Sequence, residues 1–270
     1  DFKRPEFPAD FKADLSEYQN LTYVKGKDEF NRSQQPAPGE NPVVQVPKFW
    51  HQTWTNGTQV IGTPYNELPI TNITLIYKAG QLLEPLEKAG VSNILAQMLK
   101  EGTLQYTSEQ FQSELKKIGT TINVNSDETD LEISVTSLNE NLNRSIELLN
   151  AMLMTPKFDS LDFDRVKKQQ LQSIQFAKTN AASIAGIVES HLLYSPNHIL
   201  SLPATGTEKT VSNITLQDVK DFYTNNIVPD HAEIIIVGNI SEENVVNQLS
   251  FFKRESKKNQ HLLPFKTVTT

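Results

Sequence analysis

Apolar residues in this chain follow two spacings, and the switches between them divide it into elements. Ile73, Leu75 and Tyr77 alternate with polar neighbours, as do Leu131, Ile133 and Val135, which predicts strands with one wet face. Upstream, Asn56-Gly57 stands between Trp50 and Trp54 on one side and Val60 and Ile61 on the other, a hairpin pattern. Elsewhere the step is three or four. Val91, Ile94, Leu95, Met98 and Leu99 form one helical stripe, which Gly102 is expected to stop. Thr107 with Gln110 reads as a capping box, opening a helix that turns Phe111, Leu115 and Ile118 inward and ends at Gly119. Helices follow over about 138–153 (Leu142, Ile146, Leu149, Leu153) and about 160–178 (Phe163, Val166, Leu171, Ile174, capped by Ser160), with Thr155-Pro156 between them. A third helical stretch, over about 182–193, holds Ile184, Ile187, Val188 and Leu192. Thr215 with Asp218 starts a helix bearing Val219, Phe222 and Tyr223, and Ser241 caps a last one running to about Phe251. The run from Ala232 to Val237 is dense in β-branched residues and reads as a central strand.

This order of elements predicts an α+β fold, a two-layer sandwich with a mostly antiparallel sheet and helices packed on one face. Residues 1–47 are polar and punctuated by Pro5, Pro8, Pro36, Pro38, Pro42 and Pro47, the pattern of an interdomain linker or arm. The α+β domain is expected over 48–252, with 253–270 a polar tail leading to a following domain.

Composition narrows the function classes. The formal charge of −7 disfavours a nucleic-acid or anionic-membrane partner. No run of apolar residues is long enough to span a bilayer, and the start lacks the apolar core of a signal peptide. With no cysteine, disulfides and thiolate chemistry are excluded. A cysteine-free chain of this kind favours a bacterial periplasm or cell envelope. The five histidines, His51, His191, His198, His231 and His261, have no second histidine or carboxylate at ligand spacing. No nucleophile elbow, P-loop or dinucleotide fingerprint is present.

The stretch GVSNILAQMLKEGT, residues 90–103, is the most informative. It resembles the metal-binding helix of the insulinase/pitrilysin/processing-peptidase group of zinc peptidases, the inverzincins, in which His-x-x-Glu-His runs into a Gly-Thr pair. Here Gly102-Thr103 keeps the frame, but the chemical positions read Asn93, Ala96 and Gln97. The family's third ligand, a glutamate on a later helix, lies roughly seventy-five residues beyond the second histidine, and that count from Gln97 reaches Gln172. Zinc needs imidazole, thiolate or carboxylate donors, which none of these four supplies. Three further blocks resemble the family in order and spacing: ELPITNITLIYKAGQLLEP, TSEQFQSELKKIGTTINVNSDETDLEISVTSL and GTEKTVSNITLQDVKDFYTNNIVPDHAEIIIVGNIS.

The resemblance implies a non-catalytic domain of a zinc metalloendopeptidase-like protein. Such a domain binds no metal itself and completes a peptide-binding chamber opposite an active half, which carries the zinc on the same chain or on a partner subunit. Unfolded peptide is the implied substrate of the parent enzyme. The alternative is a structural or assembly subunit of the same fold with no peptidase partner.

Overall fold

The computed structural model describes residues 46–229 and 232–253, together with most of residues 12–43. The predicted tail falls outside the described residues beyond Lys253. Two units divide the chain, Asp1–Gln45 and Val46–Thr270. In the first, the described residues are all exposed, and a short 3-10 turn at Ser16–Tyr18 is the regular structure among them. A stretch rich in proline and poor in periodic apolar positions has nothing to bury.

The second unit holds a six-stranded sheet: β1 Trp50–Thr53, β2 Gln59–Pro64, β3 Ile70–Tyr77, β4 Thr121–Ser126, β5 Leu131–Leu138 and β6 Glu233–Gly238, in the order β1-β2-β6-β3-β5-β4. Four of its ladders are antiparallel; β2 and β6 pair in parallel, Val60 opposite Ile234. The alternation seen in sequence is the alternation of faces. Val60, Ile73, Leu75, Tyr77, Ile133, Val135, Ile234 and Ile236 are buried, while Ile61, Asn72, Glu132, Thr136 and Ile235 are exposed on the opposite side.

The helices are α1 Val91–Met98, α2 Ser108–Lys117, α3 Leu142–Met154, α4 Ser160–Ala177, α5 Ala181–Leu193, α6 Glu208–Asn213, α7 Leu216–Asn226 and α8 Glu242–Gln248. The predicted capping boxes at Thr107/Gln110 and Thr215/Asp218 are both formed. Two predicted helix ends move. Asp159, not Ser160, caps α4, because its carboxylate accepts the Leu161 N–H at 2.9 Å. Nor does Gly102 end α1, which stops at Met98 and is followed by a tight turn in which the Lys100 N–H reaches the Gln97 carbonyl. Gly102 instead adopts φ 110° in a bridge to Thr107.

The larger departure is α5. The helix forms, but among its residues none is buried, with Val188 51% and Leu192 82% exposed. Short α6, which periodicity does not reveal, is held at its C-terminal end by two ammonium groups. Lys167 Nζ donates to the carbonyls of Ser212 and Ile214, and Lys88 Nζ to that of Asn213.

Candidate functional site: the α1 helix and its anchors

Helix α1 packs on β4, α4 and α7, and from Val91 to Leu99 its residues are buried except Asn93 and Gln97. These two are half-buried and one turn apart, with half-buried Lys100 three residues further on. Ala96, at the general-base position of the resemblance, is 1% exposed. Among the described residues, the side chains of Asn93, Gln97 and Lys100 have no hydrogen bond or ion pair within the protein. The next residue, Glu101, is taken up by Arg165 and by the Ser108 hydroxyl at 3.1 Å, so it acts on Lys100 through its charge without pairing with it. Partial burial holds the Lys100 ammonium below its ordinary pKa.

The start of α1 is fixed by three devices. Gly90 caps it in the left-handed region, at φ 99°. Glu84, 6% exposed, receives the Gly90 and Ser92 N–H groups on its two carboxylate oxygens, each at 2.7 Å. A carboxylate at a helix N-terminus satisfies orphan donors and meets the positive end of the dipole. Burial nevertheless pushes this carboxyl above the ordinary range, against the pull of those hydrogen bonds. Third, the Gln170 amide donates to the carbonyls of Gly90 at 3.2 Å and Thr205 at 2.7 Å, tying α4 and the 203–207 loop to the same point. The Ser126 hydroxyl reaches Ser92 Oγ at 2.8 Å from β4.

Gln172, by contrast, is exposed. At about 100° per residue it lies roughly 200° round α4 from buried Gln170, on the side away from α1. The chain count of roughly seventy-five residues thus lands on the outer side of α4, and the polar residue that α4 turns toward α1 is Gln170. The buried positions Phe163, Val166, Gln170 and Ile174 step by three, four and four, which places Gln170 inside and leaves Leu171 half-buried.

The donor chemistry at these positions does not fit zinc: two carboxamides and a methyl on α1, and an outward carboxamide on α4. Among the described residues no three His, Asp or Glu side chains cluster at metal-binding range. His51 contacts Gln59 at 2.8 Å, and His198 stacks on Tyr194. An Asn93→His, Gln97→His variant would place two imidazoles one turn apart and is expected to bind zinc measurably by calorimetry. Adding Gln172→Glu is expected to leave that affinity unchanged, because residue 172 faces away. A marked tightening would show that α4 is rotated from the phase described.

An α+β domain with helices over an open sheet, whose α1 carries Asn93, Ala96 and Gln97 in the frame of the zinc motif, is the class of a metallopeptidase-like domain. The chain belongs to the insulinase family (peptidase family M16): residues 63–195 match the family, and residues 213–269 match its peptidase M16 inactive domain. A relative described as "Non-peptidase homolog YmxG", from Helicobacter pylori, is 24% identical over 68% of this chain and 42% of its own length. Cytochrome b-c1 complex subunit 1 of Saccharomyces cerevisiae is 25% identical, over 76% of this chain and 44% of its own. The crystal structure of a peptidase M16 inactive domain from Pseudomonas fluorescens shares the fold, with a TM-score of 0.71 and 21% identity, over 76% of this chain and 50% of that one. The chain thus spans less than half the length of either of these curated relatives.

Proposed function

We propose that this domain completes a peptide-binding chamber opposite a catalytic zinc-binding half, on the same chain or on a partner subunit, and hydrolyses nothing itself. The observation that carries the reading is α1: its frame, packing and N-terminal anchors are those of a rigid helix, while Asn93, Ala96 and Gln97 offer neither ligands nor a base. Such a wall needs only to stay wet, uncharged at the old metal position and able to hydrogen-bond a peptide. The exposed apolar side of α5, with Ile184, Val188 and Leu192, is surface that a partner half could cover. The parent protein would be a zinc metalloendopeptidase, with a bacterial envelope as its setting.

Two measurements on the 270-residue chain test this reading. After incubation with zinc and dialysis, elemental analysis should find far less than one metal per chain, and an unfolded peptide should be bound but not cut. Retention of one zinc per chain, with cleavage that a chelator abolishes, would overturn it. The likeness to cytochrome b-c1 complex subunit 1 favours a second reading, a structural subunit of the same fold. That reading expects no affinity for unfolded peptides.

A further inference from the structure

The surface of α1 and of the turn that follows it shows three side chains in a row, Asn93, Gln97 and Lys100, and each has free N–H donors. Such a row suits an extended peptide. Residues four apart on a helix are separated by about 6 Å along its axis. Carbonyls on the same side of an extended strand recur at about 6.5–7 Å. The two carboxamides can therefore meet alternate carbonyls of one segment. The row then ends in an ammonium that makes no hydrogen bond or ion pair among the described residues; the charge of neighbouring Glu101 acts on it, but the carboxylate itself is held by Arg165 and Ser108. A half-buried cation outside any ion pair attracts an anion more strongly than a fully solvated one, because less water screens it.

From this we infer that the α1 row reads a carboxylate: Asn93 and Gln97 hold the backbone of an extended peptide, and Lys100 pairs with a negative group one or two residues beyond. This rests on the peptide-chamber reading and adds a preference for acidic over neutral peptides. The carboxylate could belong to an Asp or Glu side chain or to a peptide's C-terminus. Lysine serves either, as a point charge with no fixed fork geometry.

The test is fluorescence anisotropy with labelled, unstructured ten-residue peptides on the whole chain. One peptide is neutral and amidated, one carries a single internal Glu, and one ends in a free carboxylate. The Glu peptide, the free-carboxylate peptide or both should bind about three- to tenfold more tightly than the neutral one, and whichever does so identifies the source. Lys100→Met keeps the apolar stem and should remove that advantage; Lys100→Arg should restore it. Equal affinity for all three peptides, or an advantage that survives Lys100→Met, overturns the carboxylate inference and leaves peptide binding standing. Failure of every peptide to bind overturns both.

Discussion

A Gly206→Ala chain is expected to lose about 3–5 kcal/mol of stability. Gly206 sits at φ 77°, where a side chain is already strained. A Cβ there would stand 2.2 Å from the Ala89 carbonyl oxygen and 2.8 Å from its carbon, and backbone atoms cannot turn aside as a flexible side chain would. The partner position is equally tight, since a Cβ on Gly90 would lie 2.6 Å from the Thr205 carbonyl oxygen. The two loops thus cross backbone on backbone at the entrance to α1. Urea unfolding of the variant should show the loss as a lower midpoint with the slope little changed. A loss below about 1 kcal/mol would mean that the loops can separate without cost, and that the crossing does not position α1.

Glu84→Ala is expected to cost about 2–4 kcal/mol, because it leaves the Gly90 and Ser92 N–H groups buried without an acceptor. The pH dependence separates the carboxylate's hydrogen bonds from its burial. Burial raises the folded-state pKa of Glu84 above its value in the unfolded chain, so the folded form holds this proton more tightly. Its contribution is complete below the unfolded value, near 4.3, and is lost as pH rises through the folded one. Glu84→Gln cannot titrate, so the stability of wild type relative to this variant should fall as pH rises through that window. A difference that instead grew with pH would mean the two N–H groups outweigh burial and hold the carboxyl low.

What was legible in the sequence was what is decided locally. The Asn56-Gly57 hairpin, the capping boxes at Thr107 and Thr215, and the alternating faces of β3 and β5 all formed, because each depends on residues within one turn or one strand. The α1 stretch was legible for the same reason. Missed features depend on what lies across the fold. Periodicity gives α5 an apolar side but does not say whether anything covers it. Counting along the chain from Gln97 could not sense the phase of α4, which is set by Phe163, Val166 and Ile174 packing inward, so Gln170 was passed over for Gln172. Glu84 left no local signal beyond a lone acid before Pro85, since its partners are backbone groups six and eight residues on.

The place of β6 in the sheet bears on how the molecule comes into being. It lies between β2 and β3, which do not pair with each other, yet among the described residues it is the last strand along the chain. Until it arrives there are two unconnected pieces, a β1–β2 hairpin and the antiparallel set in which β5 lies between β3 and β4. Each then has an open edge where β6 will lie. The Gln59–Glu233 pairing closes a loop across most of the domain, a slow step by chain entropy. On the ribosome the nascent chain therefore carries both pieces unjoined until Glu233–Gly238 has been made, and that interval is when strand-to-strand aggregation threatens these edges.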